Sequence, residues 1–352
     1  MRRKLWLLAV PVTLSLFLAL SLYFDSDQLR RILLPFFAVR AHNLSRLECP
    51  YLNSTRYGNL KAIDEGSSIE YFFALDLRQC LALLPTLLGS ILEAMRFLGP
   101  ERCALSIVEG FSPDGTYDIL TAIKQNLEEV GASYHFQASR IDTSKGDRIQ
   151  KLADLRNMAL KPLIDQPDRV TETTTILFLN DVAIFARGIN GDSFFEIPPD
   201  GNWDSAWKLF GHAEETRGRF SRTLPFQAFS CWNGAVTFAA RLLTKEGLRF
   251  RRADRGRDKC EQGEPQLCCK DMWFHGLGKI AVIPTVNLGY SVEKGKMIKE
   301  AKGFVSDHVA KQHHADDMFE WAVQPPARVK RMPTWDHQFR KAWNQSLLRR
   351  KK

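Results

Sequence analysis

Asn180 and Asp181 close an uncharged, β-branched and apolar run, Thr174-Thr175-Ile176-Leu177-Phe178-Leu179. Such a run reads as a strand buried on both faces, and a polar pair at its end has no place in a core. In open α/β sheets ligands bind outside the carboxyl ends of the strands. A carboxylate placed there can hold a divalent cation against a nucleotide diphosphate; an Asx turn closing the strand is the plainer alternative. Upstream, Arg156-Asn157 interrupts an apolar helix, where the guanidinium can reach a phosphate or simply face solvent. Glu109 and Asp114 flank the turn Gly110-Phe111-Ser112-Pro113-Asp114-Gly115-Thr116, and can hold a nucleoside or do strand-end and helix-cap duty. Asp271 precedes an aromatic stretch and suits a catalytic or acceptor-binding carboxylate, or the N-terminal acid of a helix. Asp204 stands between Trp203 and Trp207. Aromatic and carboxylate together suit a sugar, although that spacing equally fits a core-facing helical pair. Trp232-Asn233-Gly234 is a turn able to line an acceptor pocket. His275 is read as structural, and His313-His314-Ala315-Asp316-Asp317 as surface, because adjacent residues do not share a face.

The elements that must position these groups alternate. Strands are predicted over 68–76, 103–109, 132–137 and 174–182, with helices over 83–98, 117–130 and 146–164 between them. Gly99-Pro100 stops the first helix. In the last, Ile149, Leu152, Leu155 and Leu160 have core-facing spacing and Arg156-Asn157 is the polar interruption. Strands alternating with helices mean βαβ units, hence an α/β fold on a mostly parallel sheet.

The chain has 352 residues, 45% of them hydrophobic, enough for a sizeable core. Residues 325–352 carry nine Lys or Arg against one acid, so about +8 of the net +9 lies there. That is a solvated arm rather than a nucleic-acid surface, and no basic stripe interleaved with aromatics runs through the body. Arg2-Arg3-Lys4 precede an uncharged apolar run over 5–24, long enough to cross a bilayer. A retained signal anchor is expected, with residues 1–4 cytosolic and the body lumenal. Sequons at Asn43, Asn53 and Asn344 agree with a lumenal body. The seven cysteines fit an oxidising compartment, where Cys231 can pair with Cys268 or Cys269.

An Arg-Asn helix ahead of a strand ending in Asn-Asp resembles the layout of nucleotide-sugar-dependent glycosyltransferases with the GT-A fold. Further stretches are similar to the fungal capsule-associated α-1,3-mannosyltransferase family, first known from cryptococcal capsule polysaccharide synthesis. These are Asp192-Ser193-Phe194-Phe195-Glu196-Ile197-Pro198, Gly201-Asn202-Trp203-Asp204-Ser205-Ala206-Trp207, Pro225-Phe226-Gln227-Ala228-Phe229-Ser230-Cys231-Trp232-Asn233-Gly234, Cys269-Lys270-Asp271-Met272-Trp273 and Ile280-Ala281-Val282-Ile283-Pro284-Thr285-Val286-Asn287. The resemblance implies a GT-A-like, Rossmann-type nucleotide-sugar fold in a single-pass type II membrane enzyme of the Golgi or secretory pathway. It implies retaining transfer of mannose from GDP-mannose to a mannose-containing glycan, with a divalent metal, Mn2+ (or Mg2+). In that reaction Asp181 is the metal and donor residue, and Glu109, Asp114, Arg156 and Asn157 complete the donor side. Asp271 and Asp204 are the catalytic candidates; Trp203, Trp232 and Asn233 face the acceptor. A stem over 25–66, a glycosyltransferase domain over 67–300 and a polar, basic tail over 301–352 follow from the same reading.

The pattern breaks at one place. After the Asn180-Asp181 strand the family continues into a helix and another strand with a further acidic motif, before a segment like Ala186-Arg187-Gly188-Ile189-Asn190-Gly191-Asp192. Here Val182-Ala183-Ile184-Phe185 alone intervenes, too short for the crossover of about a dozen residues that a parallel strand needs. A splice or gene-model junction, or a true deletion, is expected near 184–186. The rival reading is therefore a membrane-anchored pseudo-glycosyltransferase with a binding or scaffold role.

Overall fold

Alternate residues of strand β1 (Ile69–Leu77) pack on opposite sides: Phe73, Leu75 and Leu77 into one apolar cluster, Ile69, Phe72 and Ala74 into another. A strand buried on both faces needs a layer on each, and the computed structural model supplies both. It describes residues 54–61, 68–180, 213–232, 234–253, 263–311, 318–334 and 337–344. One layer is helix α1 (Leu84–Leu98), which buries Leu84, Leu87, Leu88, Ile91, Met95 and Leu98 at helical spacing. Gly99 ends it at φ 100°, its N–H bonded to the Met95 carbonyl. Helices α2 (Thr116–Ala122) and α3 (Lys124–Glu129) lie on the same side, in place of the single helix expected over 117–130. Helix α4 (Arg148–Asp165) covers the opposite face, its first turn capped by Asp147 accepting from the Gln150 N–H.

The sheet runs β3-β2-β1-β4-β6, with β2 (Cys103–Glu109), β3 (Ser133–Ala138), β4 (Val170–Leu179) and β6 (Ala235–Ala239). β3, β2, β1 and β4 are parallel, as the alternation predicts. β6 is antiparallel to β4, Leu179 facing Ala235. An antiparallel neighbour needs no βαβ crossover; residues 180–234 connect β4 to β6. β4 also begins earlier than predicted, at Val170, which pairs with Ile69 at the start of β1; Thr174 is buried and its hydroxyl bonds the Ile69 carbonyl across the sheet.

Helices α5 (Glu214–Ser221) and α6 (Glu264–Phe274) and the two-residue strands β5 (Phe226–Gln227) and β7 (Ala281–Val282) follow. Tyr71 donates to the Leu60 carbonyl, so residues 58–60, within the expected stem, lie against the sheet domain. The segment read as a tail holds a β8–β9 hairpin (Arg328–Thr334, His337–Ala342). Just ahead of it, the Gln227 amide bonds both backbone groups of Ala322. Among the described residues no helix is long and apolar enough to cross a membrane; the run over 5–24 lies outside them.

Candidate functional site at the carboxyl ends of the strands

β1, β2 and β4 end side by side in Asp76-Leu77, Glu109 and Leu179-Asn180. The chain leaves β1 towards β2, and β4 joins on the other side, so the β1/β4 boundary is the switch point where ligands bind in such sheets.

Arg156 reaches this boundary from α4. The sequence placed it on the polar face, but it shares a stripe with Ala153, Leu160 and Leu163 and is 5% exposed. An isolated guanidinium at that depth is costly, and here it is compensated. It forms an ion pair with the buried carboxylate of Glu264, at the first turn of α6. Its Nε lies 3.9 Å from Asp76 Oδ2. The rings of Trp232 and Phe250 stand over it at 4.6 and 5.6 Å, with Phe178 completing an aromatic group against both. Asn157 holds that group in place: its Nδ2 donates to the Phe250 carbonyl at 2.8 Å and its Oδ1 accepts from the Phe250 N–H at 3.0 Å. Arg156 Nε, Asn180 Oδ1 and Trp232 Nε1 are buried without a hydrogen-bond partner, a polar lining at a crevice that an oxygen-rich ligand can satisfy.

On the other side of the sheet, Glu109 is fully buried, and its two oxygens accept from the Phe111 and Ser112 N–H groups at 3.0 and 2.7 Å. Asp114 accepts from the N–H groups of Leu81 and Thr116 and from Thr116 Oγ1. Burial pushes the Asp114 carboxyl up, but these bonds outweigh it and hold it below the ordinary carboxylate value. Both acids thus serve the loop itself, the second of the roles weighed for them. The loops after β1 and β2 are stapled: Gly110 N–H to Leu77, Gln79 N–H to Ser112 Oγ and Cys80 N–H to Thr116 Oγ1. Gln79 and Phe111 adopt left-handed φ values of 50° and 56°, which cost of order 1–3 kcal/mol each in a non-glycine residue.

Asp271 lies in the last turn of α6, not at a helix N-terminus as the plainer reading had it. Arg251 grips it bidentately at 2.6 and 2.7 Å, which offsets a carboxylate placed at the negative end of a helix. His275 sits 3.4 Å from Glu246. Cys80, Cys103, Cys231, Cys268 and Cys269 are all free thiols, so the expected Cys231 pairing is not formed. Burial pushes the thiols of Cys231 and Cys269 up to about 12 and about 11. Asp181, Trp203, Asp204, Asn233, Asn43 and Asn53 lie outside the described residues; Asn344 follows β9, half-buried.

A cavity of about 910 Å³ borders Trp232 and Phe250 and extends past Leu177 and Leu179 to Met272 and Val282. Its described walls carry Arg241 and Lys279 but no acid. Most of these described walls are apolar. The sequence reading missed Asp76, although Asp76 closes an apolar strand as Asn180 does. It also missed Glu264, which is 108 residues from its partner, and Lys270, which is fully buried on α6.

The family described as Cryptococcal mannosyltransferase 1 matches residues 70–187 and 184–271. The two stretches overlap over residues 184–187. The chain is 30% identical over 331 residues to "Alpha-1,3-mannosyltransferase CMT1" of Cryptococcus neoformans var. neoformans serotype D, covering 79% of this chain and 70% of that protein. That span exceeds the share of this chain it uses, so CMT1 carries residues within the match that have no counterpart here. Among solved structures, S. aureus TarS in complex with UDP is 14% identical at TM-score 0.36, covering 70% of this chain and 68% of that one. Mannosyltransferase PcManGT from Pyrobaculum calidifontis, in complex with GDP-Man and Mn2+, is 13% identical at TM-score 0.35, covering 83% and 74%.

Proposed function

The chain belongs to the Cryptococcal mannosyltransferase 1 family, and so to the glycosyltransferases; on that premise we propose that it moves mannose from GDP-mannose to a mannose-containing glycan, forming an α-1,3 linkage. The observation that carries this is the identity to CMT1 over most of the chain. The crevice at the ends of β1 and β4 supports it, with the Asp76 carboxylate and the buried Asn180 Oδ1 on one boundary.

In this reading the donor lies across the strand ends. Arg156, neutralised by Glu264 and enclosed by Trp232 and Phe250, fixes the position of Asp76 rather than gripping a phosphate itself. Asn157 acts through Phe250. Hard oxygen donors at this end fit a divalent cation that takes most of its ligands from phosphate and water; among the described residues no three or more His, Cys, Asp or Glu side chains cluster to hold one by themselves. Asp181 would hold the cation, Mn2+ (or Mg2+), which when bound neutralises the charge of the departing diphosphate. Trp203, Asp204, Trp232 and Asn233 would face the acceptor, and Asp271, oriented by Arg251, is the second catalytic candidate. The body would be lumenal in the Golgi or secretory pathway, held by the run over 5–24. Glycosidase-sensitive mass on Asn43, Asn53 or Asn344 in material from secreting cells tests that topology, and unmodified sequons throughout would count against it.

The enzymatic test is incubation of the full chain with GDP-mannose, Mn2+ and an α-mannoside acceptor. Product bearing one additional hexose is expected; a folded sample that transfers nothing refutes the catalytic reading. The family matches that overlap at 184–187 and the extra residues of CMT1 favour a second reading, a pseudo-glycosyltransferase. Saturable GDP binding without turnover supports it. Transcript sequence across Ile184-Phe185 separates a missing coding segment from a true deletion.

A further inference from the structure

The basic segment that composition alone reads as a solvated arm is folded, and its pairing carries a cost. β8 and β9 form a two-stranded sheet of their own, closed at its open end by the Trp343 N–H donating to the Ala327 carbonyl. A ribbon of two strands is marginal in water. This one places Lys330 directly opposite Arg340, where like charges are destabilising. The two strands carry Arg328, Lys330, Arg331, Arg340 and Lys341 and no acid. Val329 is buried, so strand alternation puts the Arg328 and Lys330 positions together on the other face.

The approach to the hairpin has a different character. The Gln227 amide fixes Ala322 to the domain, the Trp321 ring lies 4.5 Å from that of Phe319, and Arg219 stands over Phe319 at 5.1 Å. On either side of this anchored stretch Met318 and Val323 are 66% and 79% exposed. Exposed apolar side chains and a cationic ribbon thus follow one another along the chain. A soluble polyanion engages the cations and leaves Met318 and Val323 in water. The interface of a bilayer takes both, with phosphate headgroups against Lys and Arg and the acyl boundary against the apolar side chains. We propose that the β8–β9 hairpin and the stretch over 318–323 together form a contact for an anionic phospholipid surface. The contact is separate from the strand-end crevice and does not depend on the donor reading, nor on which side of a membrane the domain lies. Headgroup phosphates between Lys330 and Arg340 also relieve the repulsion built into that pair.

The test uses the full chain in nanodiscs of phosphatidylcholine with or without phosphatidylserine, and reads acetylation of single lysines by peptide mass. Lys124 on α3 and Lys161 on α4, on opposite faces of the sheet, serve as internal references. With phosphatidylserine, Lys330 and Lys341 should label roughly fivefold or more slowly, and high salt should abolish that protection. Lys330→Gln with Arg340→Gln removes two cations, each contributing about fivefold, and should return Lys341 to its rate in phosphatidylcholine alone. Thermal unfolding of this variant is unchanged or moves upward, because the opposed charges are gone, so lost protection cannot be laid to misfolding. Met318→Ser with Val323→Ser should weaken protection by phosphatidylserine roughly fivefold or more, while protection by heparin, a soluble polyanion, stays as in wild type. Equal labelling of Lys330 and Lys341 in the two kinds of disc overturns the proposal. Protection by heparin but not by phosphatidylserine overturns it too. So does protection by phosphatidylserine that Met318→Ser with Val323→Ser retains in full, which would leave a general polyanion site.

Discussion

Replacing Glu264 by alanine leaves the Arg156 guanidinium at 5% exposure without its principal counter-charge. Removing one partner of a buried ion pair costs about 3–5 kcal/mol, because the remaining charge is stranded. Asp76 at 3.9 Å and the ring faces of Trp232 and Phe250 stay in place, which puts the expected loss toward the lower end. At about 2–4 °C per kcal/mol for a domain of this size, melting falls by roughly 6–20 °C. The double replacement Arg156→Met with Glu264→Leu removes both charges and fills the space with apolar atoms. It should recover most of the loss, to within about 1–2 kcal/mol of wild type, the residue being the cation–π contact. Urea unfolding of wild type, Arg156→Met, Glu264→Leu and the double closes the cycle. Strictly additive losses, or a Glu264→Ala variant within about 0.5 kcal/mol of wild type, would falsify the claim that this pair is buried and coupled.

Asn157→Ala strands the Phe250 N–H and carbonyl and should cost about 1–3 kcal/mol in urea unfolding; a neutral result would show that the clamp is not formed. Desolvation raises the Cys103 and Cys231 thiols to about 12 and Cys269 to about 11, from an ordinary 9.0. Groups with a raised folded value stabilise below the ordinary value, so stability should erode as pH rises past 9.0 toward 12. At pH 8 iodoacetamide should label these thiols in urea but spare them in the native chain, as read by peptide mass. A pair that stays unlabelled in urea without reductant would instead reveal a disulfide. The Asp114 carboxyl is held below its ordinary 3.8, so its contribution is present above that pH and lost as pH falls further. Asp114→Asn turns one of its two accepting oxygens into an NH2 donor and should cost about 1–3 kcal/mol at neutral pH, with the gap to wild type closing in acid unfolding below 3.8; a constant gap across that range would refute the assignment.

Local pattern alone determined the parallel half of this protein. The apolar strands at 68–76 and 103–109, the Leu-rich helix between them and its Gly99 stop are set by residues within a few positions of one another, and β2 falls where predicted. The switch point followed too, because alternation of strands and helices implies the sheet that creates it. Long-range placement decided the rest. Nothing within a helical turn of Arg156 says that it is buried; Glu264, Phe250 and Trp232 make that possible from far along the chain. The antiparallel β6 was hidden for the same reason, since strand pairing depends on which edge is free and not on the strand's own residues. Glu109 read equally well as ligand or loop residue, and its two oxygens could be assigned to Phe111 and Ser112 only once the turn had closed around them. Spacing shows which groups can do chemistry, and burial together with partnering decides which of them remain available for it.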